Sequence, residues 1–478
     1  MNKNNADIII IGGGSGGLSV GLFLAKVGMN VTMVVRSDKE VGGECLNDGC
    51  VPSKALIHVA RQVQAAREAQ SYGITLTGEI DIQKAIEYVH SQQEIIRAHE
   101  NAAWLAAQGI NVVLGEASFA GKHEIKVNGE IFSAKKIVLA TGSKPRKLKV
   151  AGVEHVKYLD NENIFHINQL PKRLLVVGGG PIGIEIAQTM QRLGSQVTVV
   201  QTGDKILEHD DSTLTDILVK RLQKEGVNFH FGASVQKFTS PNEAILQKKN
   251  GETAVVSLDA VFVGIGRELI LEPMALHKAG IEVKEDKIVV DNRLRTTNKD
   301  VMVCGDIAGD LQFSHAAELQ GRLLLNNLFS PLNKNLNNDH MSWVTFTDPE
   351  IATFGLNEKQ LKERGTAYEK IEKDFSEDDR AVTDNYRYAR TILYISKAGF
   401  LKKEKILGGT MIAPNAGELI QELILANTAG LSINNIFDKI YPYPVASRIN
   451  QQLIIGHKQK SLTPGLMKLL QMAFKLFS

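Results

Sequence analysis

The feature that most constrains the fold of this chain is an internal repeat of a strand, a glycine-rich loop, a helix and a second strand. The two loops are residues 12–17 (GGGSGG) and 178–183 (GGGPIG), and each follows a short apolar run. Gly28 and Gly194 stand at the same offset after each loop, where they are expected to end the helix. Such units bind the pyrophosphate of a dinucleotide, so the repeat predicts two dinucleotide sites.

The glycines of these loops have distinct physical roles. The first permits a tight turn, the second lets the backbone approach the phosphates, and the third lets the helix pack closely on the strand. The positive end of the helix dipole then favours the negative phosphates. These roles fall to Gly12, Gly14 and Gly17 in the first loop and to Gly178, Gly180 and Gly183 in the second.

A close pair of cysteines follows the first loop. Cys45 and Cys50 are separated by four residues, and the chain contains only three cysteines. A secreted disulfide scaffold would need more cysteines, so this pair is interpreted as a redox-active dithiol beside a nucleotide site. Cys304 lies in an apolar strand and is expected to be buried and inert.

Composition narrows the class of protein. A chain of 478 residues is too long for one core, and its 43% hydrophobic and 23% charged residues are ordinary for a globular protein. The net charge of +2 favours no nucleic-acid partner. No apolar run is long enough to span a membrane. Residues 1–7 lack the basic and apolar regions of a signal peptide, which predicts a cytoplasmic protein.

Five motifs together resemble one family. They are the two glycine loops, the run 45–54 (CLNDGCVPSK), the turn 140–142 (ATG) and the turn 304–306 (CGD). In this order they are similar to the FAD-dependent pyridine nucleotide–disulfide oxidoreductases, which include dihydrolipoamide dehydrogenase, glutathione reductase and mercuric reductase. Glu44 and the run 343–350 (WVTFTDPE) resemble the mercuric-reductase-like branch most.

The resemblance implies an α/β fold with two Rossmann-like domains and a C-terminal α+β dimerisation domain. It implies a discontinuous FAD-binding domain (1–165 and 290–335), an NAD(P)-binding domain (166–289) and a dimerisation domain (338–460). Two long helices are expected between the first loop and the following strands, over residues 53–70 and 82–107.

The resemblance also implies the roles of individual residues. Electrons would pass from NADH or NADPH through FAD to the Cys45–Cys50 disulfide, with Cys50 against the flavin and Cys45 open to an acceptor. Lys54, paired with Glu185, would lower the pKa of the thiolate. The implied FAD residues are Gly12, Gly14, Ser15, Gly17, Gly43, Lys54, Ala117, Asp306 and Ser314. The implied NAD(P) residues are Gly178, Gly180, Gly183, Gln201 and Gly266.

Two positions depart from the pattern of ribose-binding acids. The end of the second strand holds Val35 in the first unit and Gln201 in the second, where such units usually have Asp or Glu. Asp38 or Glu40 is the alternative acid for the first ribose. Glutamine neither selects NADH nor excludes NADPH, so a mixed preference is predicted.

A third departure concerns the acceptor. The dithiol enzymes of the family end in a His-Pro-Thr-x-x-Glu run, and here Tyr443 takes the place of the histidine and Arg448 that of the glutamate. A phenol with a pKa of ~10 shuttles protons poorly near neutrality. In the implied homodimer, Tyr443 would reach the partner's disulfide. The predicted acceptor is therefore a metal ion such as mercuric ion, a quinone or a small oxidant, and no resident metal is predicted.

Two other functions stay open at this point. One is a dihydrolipoamide dehydrogenase that uses another proton shuttle, and the other is a non-catalytic, nucleotide-binding redox sensor. Finally, residues 461–478 carry an amphipathic pattern with a wide apolar side and a narrow face of Lys468, Gln471 and Lys475. This tail helix either docks on protein or lies peripherally on a membrane.

Overall fold

The computed structural model describes residues 4–75, 77–309, 311–397, 403–460 and 462–477. Its contacts divide the chain into two compact units. The first unit comprises Met1–Asp204 and Glu225–Asn337, and the second comprises Lys205–Lys224 and Asn338–Ser478. Each unit is described by itself.

The elements of the chain up to residue 145 belong to the first unit. In chain order they are β1 (Asn5–Ile11), α1 (Ser15–Lys26), β2 (Val31–Val35), α2 (Gly43–Asn47), α3 (Cys50–Glu68), α4 (Ile82–Arg97), α5 (Ala102–Ala107), β3 (Ile110–Leu114), β4 (Ala117–Gly121), β5 (Glu124–Val127), β6 (Glu130–Leu139) and β7 (Lys144–Pro145).

The next elements run to residue 329 and, apart from α7, also belong to the first unit. They are β8 (Tyr158–Leu159), β9 (Arg173–Val177), α6 (Pro181–Leu193), β10 (Gln196–Gln201), α7 (Ser212–Lys224), β11 (Asn228–Phe231), β12 (Ala233–Ser240), β13 (Glu243–Lys248), β14 (Thr253–Ser257), β15 (Ala260–Val263), β16 (Arg267–Glu268), β17 (Val283–Lys284), β18 (Lys287–Ile288), β19 (Val301–Val303) and α8 (Ser314–Phe329).

Two sheets built mainly from parallel strands form the cores of the first unit. The first has the order β3-β2-β1-β6-β5-β4, with β19 also paired to β6, and β1, β2, β3, β6 and β19 run parallel. The second has the order β11-β10-β9-β15-β8, all parallel. The central strands are continuous apolar runs because parallel sheets of this kind are covered on both faces. The predicted α/β fold with a repeated βαβ unit is confirmed.

The two glycine loops have nearly the same backbone geometry. Gly12 and Gly178 both have φ of +112°, and a Cβ at either would lie 2.2 Å from a carbonyl oxygen of the neighbouring strand's end. A Cβ at Gly17 would lie 2.0 Å from the Gly12 oxygen, and one at Gly183 would lie 2.1 Å from the Gly178 oxygen. Only glycine fits these four positions, because any side chain would collide with backbone.

The helix predicted over residues 82–107 is wrong as a single element. It is divided into α4, which ends at Arg97, and α5, which begins at Ala102. Asn101 causes the break: its side chain accepts a hydrogen bond from the Trp104 N–H at 2.8 Å and donates to the Arg97 carbonyl at 2.9 Å. An asparagine in this position caps a new helix instead of continuing the old one.

The second unit contains α7 and the C-terminal elements around an antiparallel sheet of order β20-β21-β24-β23-β22. These elements are β20 (Ser342–Thr345), β21 (Glu350–Gly355), α9 (Glu358–Glu363), β22 (Tyr368–Asp374), α10 (Asp379–Thr383), β23 (Arg390–Ser396), β24 (Ile406–Ala413), α11 (Ala416–Leu419), α12 (Gln421–Thr428), α13 (Asn434–Phe437), α14 (Arg448–Lys460) and α15 (Pro464–Phe477). Apolar side chains of the sheet and of α11, α12 and α14 form its core.

The last helix, α15, differs from the rest of the second unit. None of its fourteen residues, Pro464–Phe477, is buried. Its large apolar side chains are exposed, and Phe474, Leu476 and Phe477 are the most exposed of them. Across the residues that the structure describes, no helix combines the length and the apolar character needed to cross a membrane.

Candidate active site

The two cysteines lie in a short helix and at the start of the long helix that follows it, beside the first glycine loop. Cys45 is inside α2 and Cys50 begins α3. Gly43 begins α2 with φ of +63°, and a Cβ there would lie 2.6 Å from the Cα of Gly14. The absence of that side chain lets α2 rest directly on the glycine loop, which places the dithiol beside the predicted dinucleotide site.

The electrostatics of the two thiols are opposite. The hydrogen bond between them raises the pKa of Cys45. The same hydrogen bond, together with the charge of Lys54, lowers the pKa of Cys50 to about 6, although burial opposes this shift. Ser314, the first residue of α8, has its hydroxyl 3.7 Å from the Cys50 sulfur. Cys50 is therefore the thiolate of the pair and Cys45 the thiol that donates to it.

Lys54 and Glu185 form the ion pair that the resemblance implies. The Lys54 ammonium lies 2.9 Å from a Glu185 carboxylate oxygen, and the Glu185 side chain is only 6% exposed. Lys54 is one helical turn after Cys50 on α3, and Glu185 is on α6 of the second βαβ unit. The pair therefore connects the dithiol helix to the second dinucleotide unit.

A second polar connection was not predicted from the sequence. The Arg267 guanidinium donates to both carboxylate oxygens of Glu44. It also donates to the Ser143 hydroxyl at 2.6 Å, and it lies 3.4 Å from Asp306. Asn161 donates to Glu44 at 2.8 Å. Burial raises the pKa of Glu44 to about 7 even though Arg267 opposes the shift.

Asp306, implied as an FAD residue, is held by the same group. Its carboxylate accepts from the Ser143 hydroxyl at 2.5 Å. Ser143 follows the turn at residues 140–142, and Asp306 follows β19. Both elements end at the same edge of the first sheet as the glycine loop, because β1, β6 and β19 run parallel. A ligand in the crevice at this edge would meet all of these side chains.

A cleft of about 340 Å³ opens at Cys45. It is lined by Ser15, Leu18, Ser19, Gly42, Cys45, Leu46, Val51, Ile96, Glu100, Glu318 and Arg322. Three of these side chains are charged, namely Glu100, Glu318 and Arg322, so the cleft has one more acidic group than basic groups. Glu318 and Arg322 lie 4.0 Å apart on α8, and burial raises the pKa of Glu100.

The backbone of the second glycine loop is accessible where phosphates are expected to bind. A Cβ at Gly180 or Gly266 would meet no atom within 4 Å, so the backbone there is accessible to a ligand. The Gln201 side chain accepts a hydrogen bond from the Gly179 N–H at 2.9 Å. The crowded backbone at Gly178 and Gly183, with the open position at Gly180 between them, fits a bound pyrophosphate at the start of α6.

The first ribose position has no uncommitted acid. Val35 is buried and packs against Gly13. Asp38 accepts a hydrogen bond from the Ala102 N–H at 2.7 Å, and Glu40 pairs with Arg36 at 2.6 Å. Glu40 therefore stabilises the chain just after β2, whereas Asp38 connects this segment to the start of α5.

Two further residues that were predicted to bind FAD lie in the first unit. Ala117 begins β4, just after Gly115, whose N–H donates to the Val35 carbonyl at 2.9 Å. Ser15 begins α1 and lines the cleft at Cys45. The first unit thus contains all the predicted site residues except Tyr443.

Tyr443 lies in the second unit and is 68% exposed. Its hydroxyl donates to an Asp379 carboxylate oxygen at 3.0 Å, and this hydrogen bond raises the pKa of the phenol. The Arg448 guanidinium carbon lies 5.6 Å from the centre of its ring. A phenol with a raised pKa is even less ionised near neutral pH than a free phenol, so the phenol of Tyr443 does not replace the absent histidine.

Arg267 and Glu100 were not predicted from the sequence as site residues. Glu44 was used only as evidence for the resemblance to the mercuric-reductase-like branch. Arg267 directly follows Gly266, which was predicted to bind NAD(P), and this position was its only signal. Glu100 stands in the break between α4 and α5, so the error in the helix also concealed it.

Comparison with known proteins agrees with this geometry. Residues 6–321 match the pyridine nucleotide-disulphide oxidoreductase family and residues 341–453 match its dimerisation domain. A dihydrolipoyl dehydrogenase of Mycoplasma pneumoniae is 31% identical over 93% of this chain and 97% of its own. A mercuric reductase of Lysinibacillus sphaericus is 29% identical over 93% of this chain and 81% of its own.

The fold of this chain is also similar to that of a solved structure. The HOCl-induced flavoprotein disulfide reductase RclA of Escherichia coli is 26% identical, covers 94% of this chain and 99% of its own, and has a TM-score of 0.81. The dimerisation domain supports a homodimer. The chain therefore belongs to the pyridine nucleotide-disulphide oxidoreductase family, whose enzymes depend on FAD and NAD(P)H.

Proposed function

We propose that this enzyme uses electrons from NAD(P)H, by way of FAD, to reduce a soft metal cation at the Cys45–Cys50 dithiol. The observation that carries the proposal is the cleft at Cys45, which has two carboxylates and one guanidinium and no histidine among its lining residues. Soft thiolates are favoured ligands for mercury and copper(I), and a net acidic cleft attracts a cation.

The protein's own residues supply most of the chemistry. Cys50 is the thiolate because of the hydrogen bond from Cys45 and the charge of Lys54. When the two sulfurs form their disulfide, two electrons pass to the acceptor and the remaining thiol proton is released. A mercuric ion takes both electrons, whereas two copper(II) ions take one each, so either acceptor balances the step.

The C-terminal run supports a metal ion over a thiol substrate. A dithiol substrate must give up protons to a base before its sulfur can attack a disulfide. Tyr443 donates its own hydrogen bond to Asp379, and the pKa of its phenol is raised. A metal ion displaces the proton of a thiol when it binds and needs no strong base.

Two similar proteins are associated with metals by name. One is the mercuric reductase of Lysinibacillus sphaericus, and the other is a solved Cu(II) complex of RclA, 25% identical to this chain with a TM-score of 0.83. They support a metal acceptor for the same fold and motif order.

The site residues follow from this proposal. FAD would be held by the first loop with Ser15, Gly43, Lys54, Ala117, Asp306 and Ser314, and NAD(P)H by the second loop with Gln201 and Gly266. We also propose the division into an FAD-binding part (1–165 and 290–335), an NAD(P)-binding part (166–289) and a dimerisation part (338–460). The crevice at Asp306 and the open loop at Gly180 support these assignments.

An acceptor screen tests the proposal. Oxidation of NADH and of NADPH by the purified holoenzyme would be followed with mercuric ion, copper(II), a soluble quinone, lipoamide or oxidised glutathione. We expect turnover with a metal ion to exceed turnover with either disulfide by at least about a hundredfold, the lower range for a missing acid–base group. Rapid turnover of lipoamide would indicate a dihydrolipoyl dehydrogenase instead. A flavin that neither coenzyme bleaches would indicate a redox sensor.

We propose in addition that α15 binds a lipid surface. The observation is that no residue of Pro464–Phe477 is buried, although most of them are apolar. Lys468 and Lys475 on its narrow polar face would approach anionic headgroups. Sedimentation with anionic vesicles, compared with a variant that ends at Lys460, tests this, and equal recovery of both proteins in the pellet would contradict it. A membrane location would also make a quinone available as acceptor.

A further inference from the structure

Three side chains that can bind a metal ion converge in the second unit. They are Glu369 on the edge strand β22, Glu404 just before β24 and His457 near the end of α14. One ligand atom of each lies within 4.8 Å of the others. The His457 side chain is 6% exposed, whereas those of Glu369 and Glu404 are 47% and 22% exposed. A buried nitrogen ligand is therefore adjacent to two carboxylates that solvent can reach.

The two ring nitrogens of His457 have different surroundings. Nε2 forms a hydrogen bond of 2.9 Å with the Glu404 carboxylate, which can only accept, so Nε2 carries the hydrogen. Nδ1 is buried and has no hydrogen-bond partner among the residues that the structure describes, although a Glu369 oxygen lies 3.2 Å away. A buried polar atom without a partner is rare in folded proteins, and it is one of the marks of a site for an ion.

The spacing of Nδ1 and the Glu369 oxygen fits two ligands of one metal ion. A hydrogen bond at 3.2 Å requires the N–H to point at the oxygen, and this pair lacks that alignment. Two ligands at about 2.0–2.2 Å from a tetrahedral zinc ion lie about 3.3–3.5 Å apart, and both point at the metal instead of at each other. The Glu404 contact completes the pattern, because a ligating histidine usually donates its other ring N–H to a carboxylate or a carbonyl.

Lysine and arginine side chains of the described residues do not neutralise these carboxylates. Within this part of the chain, the imidazole is the only group at ion-pair distance from Glu369 or Glu404. Lys370, which follows Glu369 on β22, points to the opposite face of the strand and lies 3.4 Å from Asp211. The two carboxylates and the imidazole therefore form a net negative group of ligands, which attracts a divalent cation.

We propose that His457 Nδ1 and the Glu369 carboxylate bind a divalent cation in the second unit, and that zinc is the ion that suits them best. Glu404 is a positioning residue that holds the ring in the tautomer required for binding, and water completes the coordination. The nitrogen ligand favours zinc over calcium or magnesium, which prefer oxygen ligands alone. Zinc has no redox chemistry of its own, so the ion joins the end of α14 to the edge strand β22 and takes no part in electron transfer.

A purely structural ion pair makes the opposite prediction about zinc. If His457 is an imidazolium between two carboxylates, zinc must displace its proton and disrupt both contacts. Added zinc then neither binds there nor raises the midpoint of urea unfolding. If Nδ1 is a metal ligand, zinc binds the folded state and raises that midpoint as its concentration increases.

The experiment uses the full-length holoenzyme with Cys45→Ser and Cys50→Ser, so that the dithiol cannot bind the metal. Binding of zinc chloride would be measured by isothermal titration calorimetry, and the midpoint of urea unfolding would be measured with and without zinc. We expect one zinc ion per chain and a higher midpoint in its presence. The acceptor screen does not bear on this result, because the proteins that are compared lack the dithiol. The inference is therefore independent of the proposed function.

Variants of the three residues identify the site. Glu369→Gln and His457→Gln should each weaken zinc binding by at least about tenfold, and Glu404→Gln should weaken it by about 10- to 100-fold, as for loss of an orienting carboxylate. The matched control is Glu372→Gln, which removes an exposed carboxylate from the other face of β22 and should change the affinity by less than about twofold.

An absence of zinc binding, or equal affinity in Glu369→Gln and Glu372→Gln, would overturn the inference. Calcium chloride that binds as tightly as zinc chloride would also contradict it, because calcium does not favour the imidazole. Glu369→Gln keeps the test decisive even if His457→Gln does not fold, because the Glu369 side chain is 47% exposed and its substitution leaves the core unchanged.

Discussion

The dithiol region of the first unit and the C-terminal run of the second have departed from the family pattern to different degrees. Around Cys45 and Cys50, the thiolate, the Lys54–Glu185 ion pair and the glycine loop are all in place. In the C-terminal run, Tyr443 is an exposed phenol bonded to Asp379. Under the proposed function, the residues that would serve electron transfer are all present, while the histidine that would serve a thiol substrate is replaced by Tyr443.

The difference also shows which interactions determine each region. The Lys54–Glu185 pair joins two helices that are 131 residues apart in the chain, and it places charge beside a sulfur. The Tyr443–Asp379 hydrogen bond is exposed, where solvent weakens its effect. Substitutions should therefore have large effects in the first region and small or beneficial effects in the second.

The largest effect is expected for Cys50→Ser. A serine hydroxyl is not ionised near neutral pH, so the variant has no thiolate to form the disulfide or to donate electron density to the flavin. Turnover with any acceptor that uses the dithiol should fall by about a thousandfold or more. The long-wavelength thiolate–flavin absorbance of the NADH-reduced enzyme should also disappear. If that absorbance persisted, Cys50 would not be the residue beside the flavin.

Lys54→Met should have the next largest effect. The positive charge of Lys54 contributes to lowering the pKa of Cys50 to about 6, so the thiolate of the reduced enzyme is present above that pH and is lost as the pH falls through it. Without Lys54 the transition should move up by about one to three pH units, as for loss of an opposite charge. Titration of the long-wavelength absorbance measures this shift.

The matched control for Lys54→Met is the double variant with Glu185→Gln. The Glu185 charge raises the pKa of Cys50, so its removal should return the transition part of the way toward that of the original enzyme. A transition that does not move in Lys54→Met would show that the lysine acts only through packing.

Tyr443→His should have a smaller effect, and it should increase turnover of a dithiol instead of decreasing activity. Restoring an imidazole in the run supplies a base with a pKa near neutrality, so turnover of dihydrolipoamide should rise by about tenfold or more. Adding Arg448→Glu should increase the gain, because a carboxylate orients the ring, and Arg448→Glu alone serves as the control. No gain in either histidine variant would mean that the cleft itself excludes dithiols.

The smallest effect is expected for Tyr443→Phe. The variant loses one exposed hydrogen bond to Asp379, which should leave the midpoint of urea unfolding nearly unchanged. Metal-dependent oxidation of NADH should stay within about twofold of the original rate. A loss comparable to that of Lys54→Met would give the phenol a direct role and remove the contrast between the two regions.

Local sequence signals predicted much of the fold because their causes are local. The glycines of the two loops and the apolar strands beside them determine a βαβ unit within about 30 residues. The break at Asn101 was missed because the apolar spacing of a helix continues across it, and the capping hydrogen bonds outweigh that pattern. The predicted fold class was still correct, because it depends on the sheets and these helices lie outside them.

Long-range electrostatics could not be predicted in the same way. The Arg267–Glu44 contact joins residues 223 positions apart, and no spacing rule connects them. Glu100 resembles any surface glutamate in the sequence. Its place in the cleft depends on where α4 ends and on how α2 rests on Gly14.

By itself, the sequence determined the two dinucleotide units, the dithiol and the absence of a histidine at position 443. Each of these features depends only on residues that are close together in the chain. Only the tertiary structure decided which sulfur is the thiolate, which carboxylates face the cleft and which acids are already committed to partners. Those properties depend on distances and burial between distant segments, since a pKa responds to the groups that surround it in space.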